Sequence, residues 1–135
     1  MASVRKASYY SMKVPQRPGS GAQLLAALKA AKVNLLAFTG FPDGQRSQVD
    51  FVPANPKTFL AVARGMKLRL REKKTGFLIR GKDQRGAIAR IMSKLAVAKI
   101  NVTAVDALCA GGGRFGAILW VKQKDVSRAA RALGA

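Results

Sequence analysis

The chain has 135 residues, 49% of them hydrophobic, which suits one ordinary domain or two minimal ones that share a sheet or an interface. It holds no histidine and one cysteine, Cys109, so the commonest general base and metal ligand is missing and no internal disulfide can form. Its 25 Lys and Arg outweigh 6 Asp and Glu to give a net charge of +19, a footprint that suits a solvated basic surface or a polyanionic partner.

Tyr9 to Val14 reads as a first strand that can extend back to Val4. Pro15 to Gly19 is a turn, Ser20 to Ala31 a helix and Leu35 to Thr39 a second strand. Phe41 to Gln45 carries an Asp-Gly signal, so the second strand should form a hairpin with a third, Gln48 to Val52. Asn55-Pro56 is an N-cap followed by proline at the first helical position. Phe59, Leu60 and Ala63 bury that second helix, and Gly65 ends it. Lys67 to Arg71 alternates strictly and predicts a fourth strand with one wet face. The order β-α-β-β-α-β is that of the ferredoxin-like unit.

The second half repeats the first. Phe77 to Arg80 is strand-like, Gly81 to Gly86 a turn cluster, and Ile88, Ile91, Met92 and Leu95 mark one face of a helix over Ala87 to Ala98. Arg90 and Lys94 lie on the opposite, wet face. Val102 to Ala107 is the next strand, Ala110 to Gly113 a loop and Phe115 to Val121 another strand. Asp125 is read as the cap of a last helix. An offset of 67 residues brings Gly19 onto Gly86, Leu24, Leu25 and Leu28 onto Ile91, Met92 and Leu95, and Lys32 to Leu35 onto Lys99 to Val102, without a gap. Such a self-match decides the architecture. The second copy has no fourth strand of its own. Its first strand is left as a raw edge, to be covered by Lys67 to Arg71, by a neighbouring chain or by the N-terminal tail.

This pattern of strand, Asp-x-Arg-x-Gly-like turn (Asp83-Gln84-Arg85-Gly86 in the second copy, Gln16-Arg17-Pro18-Gly19 without the acid in the first), amphipathic helix and Val-Asn or Ile-Asn corner resembles the ACT domain family, regulatory modules that bind amino acids at contacts between paired domains. The resemblance covers nearly the whole chain, twice. It implies an α+β fold of two ferredoxin-like repeats, residues 1–73 and 74–135, with antiparallel sheets and helices on one face. It also implies a cytoplasmic, non-catalytic, homodimeric amino-acid sensor that needs no cofactor. The implied ligand groups are Asp83, Gln84, Arg85, Gly86 and Asn101 in the second copy and Gln16, Arg17, Gly19 and Asn34 in the first. The family places ligands between the turn of one domain and the second strand of its neighbour.

The residues themselves suit that chemistry. A helix start offers unpaired N–H groups and a positive dipole to a carboxylate. Asp83 can accept from an ammonium group, and Arg85 can steer a carboxylate. Two plainer uses stay open: Asp83 as a turn stabiliser, and Gly86 as a residue that permits tight strand–helix packing. Asn34 and Asn101 also read as left-handed helix-ending residues. Six scattered acids form no catalytic pair, Cys109 reads as a small buried apolar side chain, and Gly111 to Gly113 lacks the Lys-Ser or Lys-Thr of a P-loop. The competing class is RNA binding, for which the ferredoxin-like order, the basic charge, Phe77 and Phe115 speak. Ala117, where that pattern wants Phe, speaks against it, and any nucleic-acid binding should be weak. Trp120 predicts a core or subunit-interface position. No apolar run is long enough to span a membrane, and no cleavable leader precedes Tyr9.

Overall fold

The computed structural model describes residues 2–135. Among them are six strands and four α-helices in an α+β arrangement: β1 Ser3–Pro15, α1 Ser20–Ala30, β2 Leu35–Asp43, β3 Arg46–Pro53, α2 Pro56–Gly65, β4 Lys74–Lys82, α3 Ala87–Val97, β5 Val102–Gly111, β6 Arg114–Val121 and α4 Val126–Leu133. No helix is long and apolar enough to cross a membrane. The chain forms two compact units, one of residues 8–74 and one that joins residues 2–7 to residues 75–135.

In the unit of residues 8–74, antiparallel β3 pairs with β1 on one side and β2 on the other. The register explains the core. Phe38, Phe51 and Tyr10 stand opposite one another across β2, β3 and β1, and strand alternation turns all three to one face. Phe59 of α2 closes over them, with ring centroids 5.5 Å from Tyr10 and 5.3 Å from Phe51. The next row across the same strands is Thr39, Asp50 and Ser11, on the other face. There the buried Asp50 carboxylate accepts from Ser11 Oγ at 2.7 Å and from Gln48 Nε2 at 3.0 Å. Burial, together with the Asp50 carboxylate, pushes the Tyr9 phenol above its ordinary pKa.

Lys67 to Arg71 is not a strand. Lys67 turns left-handed at φ 58° and ends α2, after which Leu68 and Leu70 pack on the core. Arg71 N–H donates to Ser11 O at 2.9 Å, but the segment acquires no ladder. The two leucines hold it by side-chain burial instead.

In the other unit, β6 pairs antiparallel with β4 and β5. Residues 3–7 of β1 lie beside β4 and fill the slot that the second repeat lacks. That is why these residues group with 75–135 and not with the first repeat, where the sequence reading puts them. Phe77, Ile79, Phe115, Leu119 and Val121 face Ile91 and Leu95 of α3 and Ala129, Ala130 and Leu133 of α4. Trp120 is 6% exposed within the single chain. Gly81, expected in a turn, is a buried residue of β4. A Cβ there would come within 2.9 Å of Phe115 Cε1 and 3.1 Å of Ala2 Cα, so only glycine lets both approach.

Three helices end alike. Lys32, Lys67 and Lys99 are left-handed, at φ 62°, 58° and 58°. The next residue's N–H bonds back five positions: Val33 to Leu28, Leu68 to Ala63 and Ile100 to Leu95. This is the Schellman arrangement. The left-handed position therefore falls on lysines, two residues before Asn34 and Asn101 in the matched copies. Asp125 likewise makes no side-chain cap; it is the last residue of a 3-10 turn and pairs with Arg128 at 3.1 Å, while Arg128 Nη2 reaches Ala98 O at 2.7 Å.

Two substitutions test this. Gly81→Ala should destabilise by about 1–3 kcal/mol, the usual cost of overpacking, read as a lower urea midpoint. Lys99→Gly removes a left-handed strain of about 1–2 kcal/mol but loosens the unfolded chain, so a net gain of about 0.5–1 kcal/mol should raise Tm.

Candidate functional site

The two turns singled out by the repeat are built alike. In each, the strand ends, the chain doubles back on the neighbouring hairpin, and a left-handed glycine opens the helix. Gly19 has φ 88° and Gly86 φ 78°, and neither α1 nor α3 has a side-chain cap or an acid in its first turn. Nothing lies within 4 Å of a Cβ placed on either glycine. Glycine is needed for the positive φ, not for close packing.

In the first turn, Gln16 Nε2 donates to Arg46 O at 3.0 Å, across to the β2–β3 hairpin. Arg17 N–H donates to Pro15 O at 3.1 Å and Gln23 N–H to Gly19 O at 2.9 Å. In the second, Asp83 N–H donates to Gly113 O at 2.8 Å, across to the β5–β6 hairpin. The Asp83 carboxylate accepts from the thiol of Cys109, which with burial and the nearby negative charge pushes that thiol's pKa above its ordinary value. Cys109 is exposed, not buried as its apolar character predicts, because β5 is covered along one edge only, by β6. Cysteine in that place gives no sequence signal; only the hairpin register brings it to Asp83.

Asp83, Gln84, Arg85 and Gly86 are therefore together and exposed, as are Gln16, Arg17 and Gly19. Asn101 is not with them. It precedes the start of β5, while Asp83 adjoins the far end, about 25 Å away at the rise of an extended strand. Asn34 stands in the same relation to the first turn, where its carbonyl accepts from Ala54 N–H at 2.9 Å. Neither asparagine lies beside the turn of its own repeat.

A second feature lies beside the second turn: a cleft of about 180 Å³ between α3 and the arm of residues 2–4. Lys82, Arg90 and Lys94 line it over Ile91, Phe115 and Leu133. Helical spacing marks Arg90 and Lys94 as a wet face, but the arm that makes that face concave is legible only in the fold. An RNA-stacking platform is not built here, since Phe77 is 0% and Phe115 6% exposed, both in the core under the helices.

The Asp83–Cys109 contact is open to a direct check. A raised thiol pKa leaves less thiolate at pH 8, so iodoacetamide should label Cys109 more slowly than a free cysteine. Asp83→Asn removes the charge that disfavours the thiolate and should speed labelling. Unchanged labelling would show that the carboxylate does not act on the thiol.

No family model matches the chain, and no curated protein does. Solved structures do. Protein BT0572 from Bacteroides thetaiotaomicron superposes with a TM-score of 0.82 at 12% identity, over 97% of this chain and 88% of that one. The ligand-free regulatory subunit of aspartate kinase from Thermus thermophilus gives 0.63 at 14% identity, over 98% and 94%. A putative C-terminal regulatory domain of aspartate kinase from Porphyromonas gingivalis gives 0.59 at 14%, over 99% and 95%. The fold of this chain is thus similar to that of these aspartate kinase regulatory structures.

Proposed function

We propose that the chain is a non-catalytic regulatory protein of two ACT-like units, one of residues 8–74 and one that joins residues 2–7 to residues 75–135, that acts as a homodimer and senses an amino acid. The ligand carboxylate meets the start of α3, its ammonium group meets Asp83, and Asn101 closes the site from the second strand of a neighbouring copy. One observation carries this reading. Gly86 opens α3 without a side-chain cap or a first-turn acid, so nothing in the helix itself neutralises its positive end. The Asp83 carboxylate is exposed and joins neither ion pair found among the described residues, so it keeps acceptors for an ammonium group. The fold shared with aspartate kinase regulatory subunits supports a regulatory role.

The two turns are not chemically equal. Gln16 offers an amide where Asp83 offers a charge, and charge-assisted bonds are about twice as strong as neutral ones. Pro18 also removes one N–H from the first turn where Arg85 keeps it. The second turn is the principal site.

Screening the twenty amino acids by thermal shift should find one that raises Tm, as a ligand of the native state must. Calorimetry should then show Asp83→Asn weakening that ligand by roughly tenfold or more, and Gln16→Ala changing little. Two equal sites, or unchanged affinity in Asp83→Asn, would return Asp83 to the role of a turn residue.

A further inference from the structure

The cleft beside α3 does not depend on the amino-acid reading. Lys82 comes from the end of β4, and Arg90 and Lys94 from successive turns of α3. No acid lines the cleft, and neither ion pair identified among the described residues involves these three cations. Arg90 and Lys94 are four apart on one helix face, where like charges repel. The uncapped start of α3 adds a positive field near Ala87, which also lines the cleft. Below the cations the floor is apolar: Ile91, Phe115 and Leu133 are all at most 6% exposed, and Val4 of the arm forms a wall. Gln84 supplies one carboxamide at the rim.

Such a surface is concave, apolar at its base and polar at a few points, the ordinary character of a small-molecule site. Three cations around one opening exceed what a single carboxylate neutralises and match a phosphate dianion. The volume limits the rest of the ligand to a short apolar body. We propose that this cleft binds a small organic phosphate monoester, with its phosphoryl group held by Lys82, Arg90 and Lys94 and its hydrocarbon part on Ile91, Phe115 and Leu133.

The test uses the full chain and n-butyl phosphate as probe, with inorganic phosphate, butanoate and butylammonium alongside. Calorimetry should show butyl phosphate binding more tightly than inorganic phosphate or butanoate, and no binding of butylammonium. Methyl NMR shifts should fall on Ile91 and Leu133. The double variant Arg90→Gln/Lys94→Gln changes only exposed side chains and should fold. It should lose roughly tenfold or more in affinity, the loss expected for charge-assisted bonds. Asp83→Asn should not weaken butyl phosphate binding, since it removes only a negative charge beside the cleft, and this keeps the site separable from the amino-acid site. Equal affinity for inorganic and butyl phosphate would overturn the proposal, because the anion would then be reading the general basic surface. Equal affinity for butanoate would overturn the choice of phosphate. Retained affinity in the double variant would remove the site altogether.

Discussion

A strand that lies inside a sheet must find partners for the N–H and C=O groups along both edges, and one strand of this chain begins without them. β4 has β6 on one side. Among the described residues no strand follows α4 to take the other side. An unpaired interior edge is a costly and aggregation-prone surface. Residues 3–7 resolve it, and much else follows from that choice. β1 becomes 13 residues long, its first part serving one unit and its second part the other. Gly81 must be glycine because the arm and the Phe115 ring arrive from two sides. The cleft beside α3 has a wall because Ala2 and Val4 are there.

Within each unit the same device fixes the turn that the repeat marks out. A residue just after the first strand reaches sideways to the neighbouring hairpin: Gln16 to Arg46 in one case, Asp83 to Gly113 and Cys109 in the other. The turn is held from outside, so the helix start needs no side-chain cap and its first N–H groups face solvent chemistry. The stabilising and the ligand-directed readings of Asp83 are therefore compatible. A carboxylate whose backbone is pinned to a hairpin is better placed to receive a cation than one on a free loop.

Most of the fold is legible in the sequence because it rests on periodicity. The leucines of α1, the Ile91 and Leu95 face of α3, and the alternation of Phe77 with Ile79 state which side is buried, and the α+β class follows. The failures have specific physical causes. Lys67 to Arg71 alternates like a strand, but two leucines anchor it by packing and it makes one backbone bond to β1. Asn34 and Asn101 look like the residues that turn left-handed, yet Lys32 and Lys99 do so, because the five-residue back-bond fixes the position and composition does not. The turn residues of the site could be named from the repeat. Cys109 and the arm could not, since both arrive through strand register and long-range pairing, which no local pattern encodes.

The arm also sets an order of events. During synthesis residues 3–7 emerge long before β6, the last strand of the unit they complete. Between residue 7 and residue 121 lie more than a hundred residues, which at ribosomal speeds of about 5–20 residues per second take on the order of 6–20 s to make. Until β4 is made the first half of β1 has no strand to pair with, while its second half already has β3. The unit of residues 8–74 can finish first and hold the arm's base in an extended conformation. The second unit can then add β4 to the arm, an intramolecular pairing whose loop-closure entropy is reduced once the residues between them are folded.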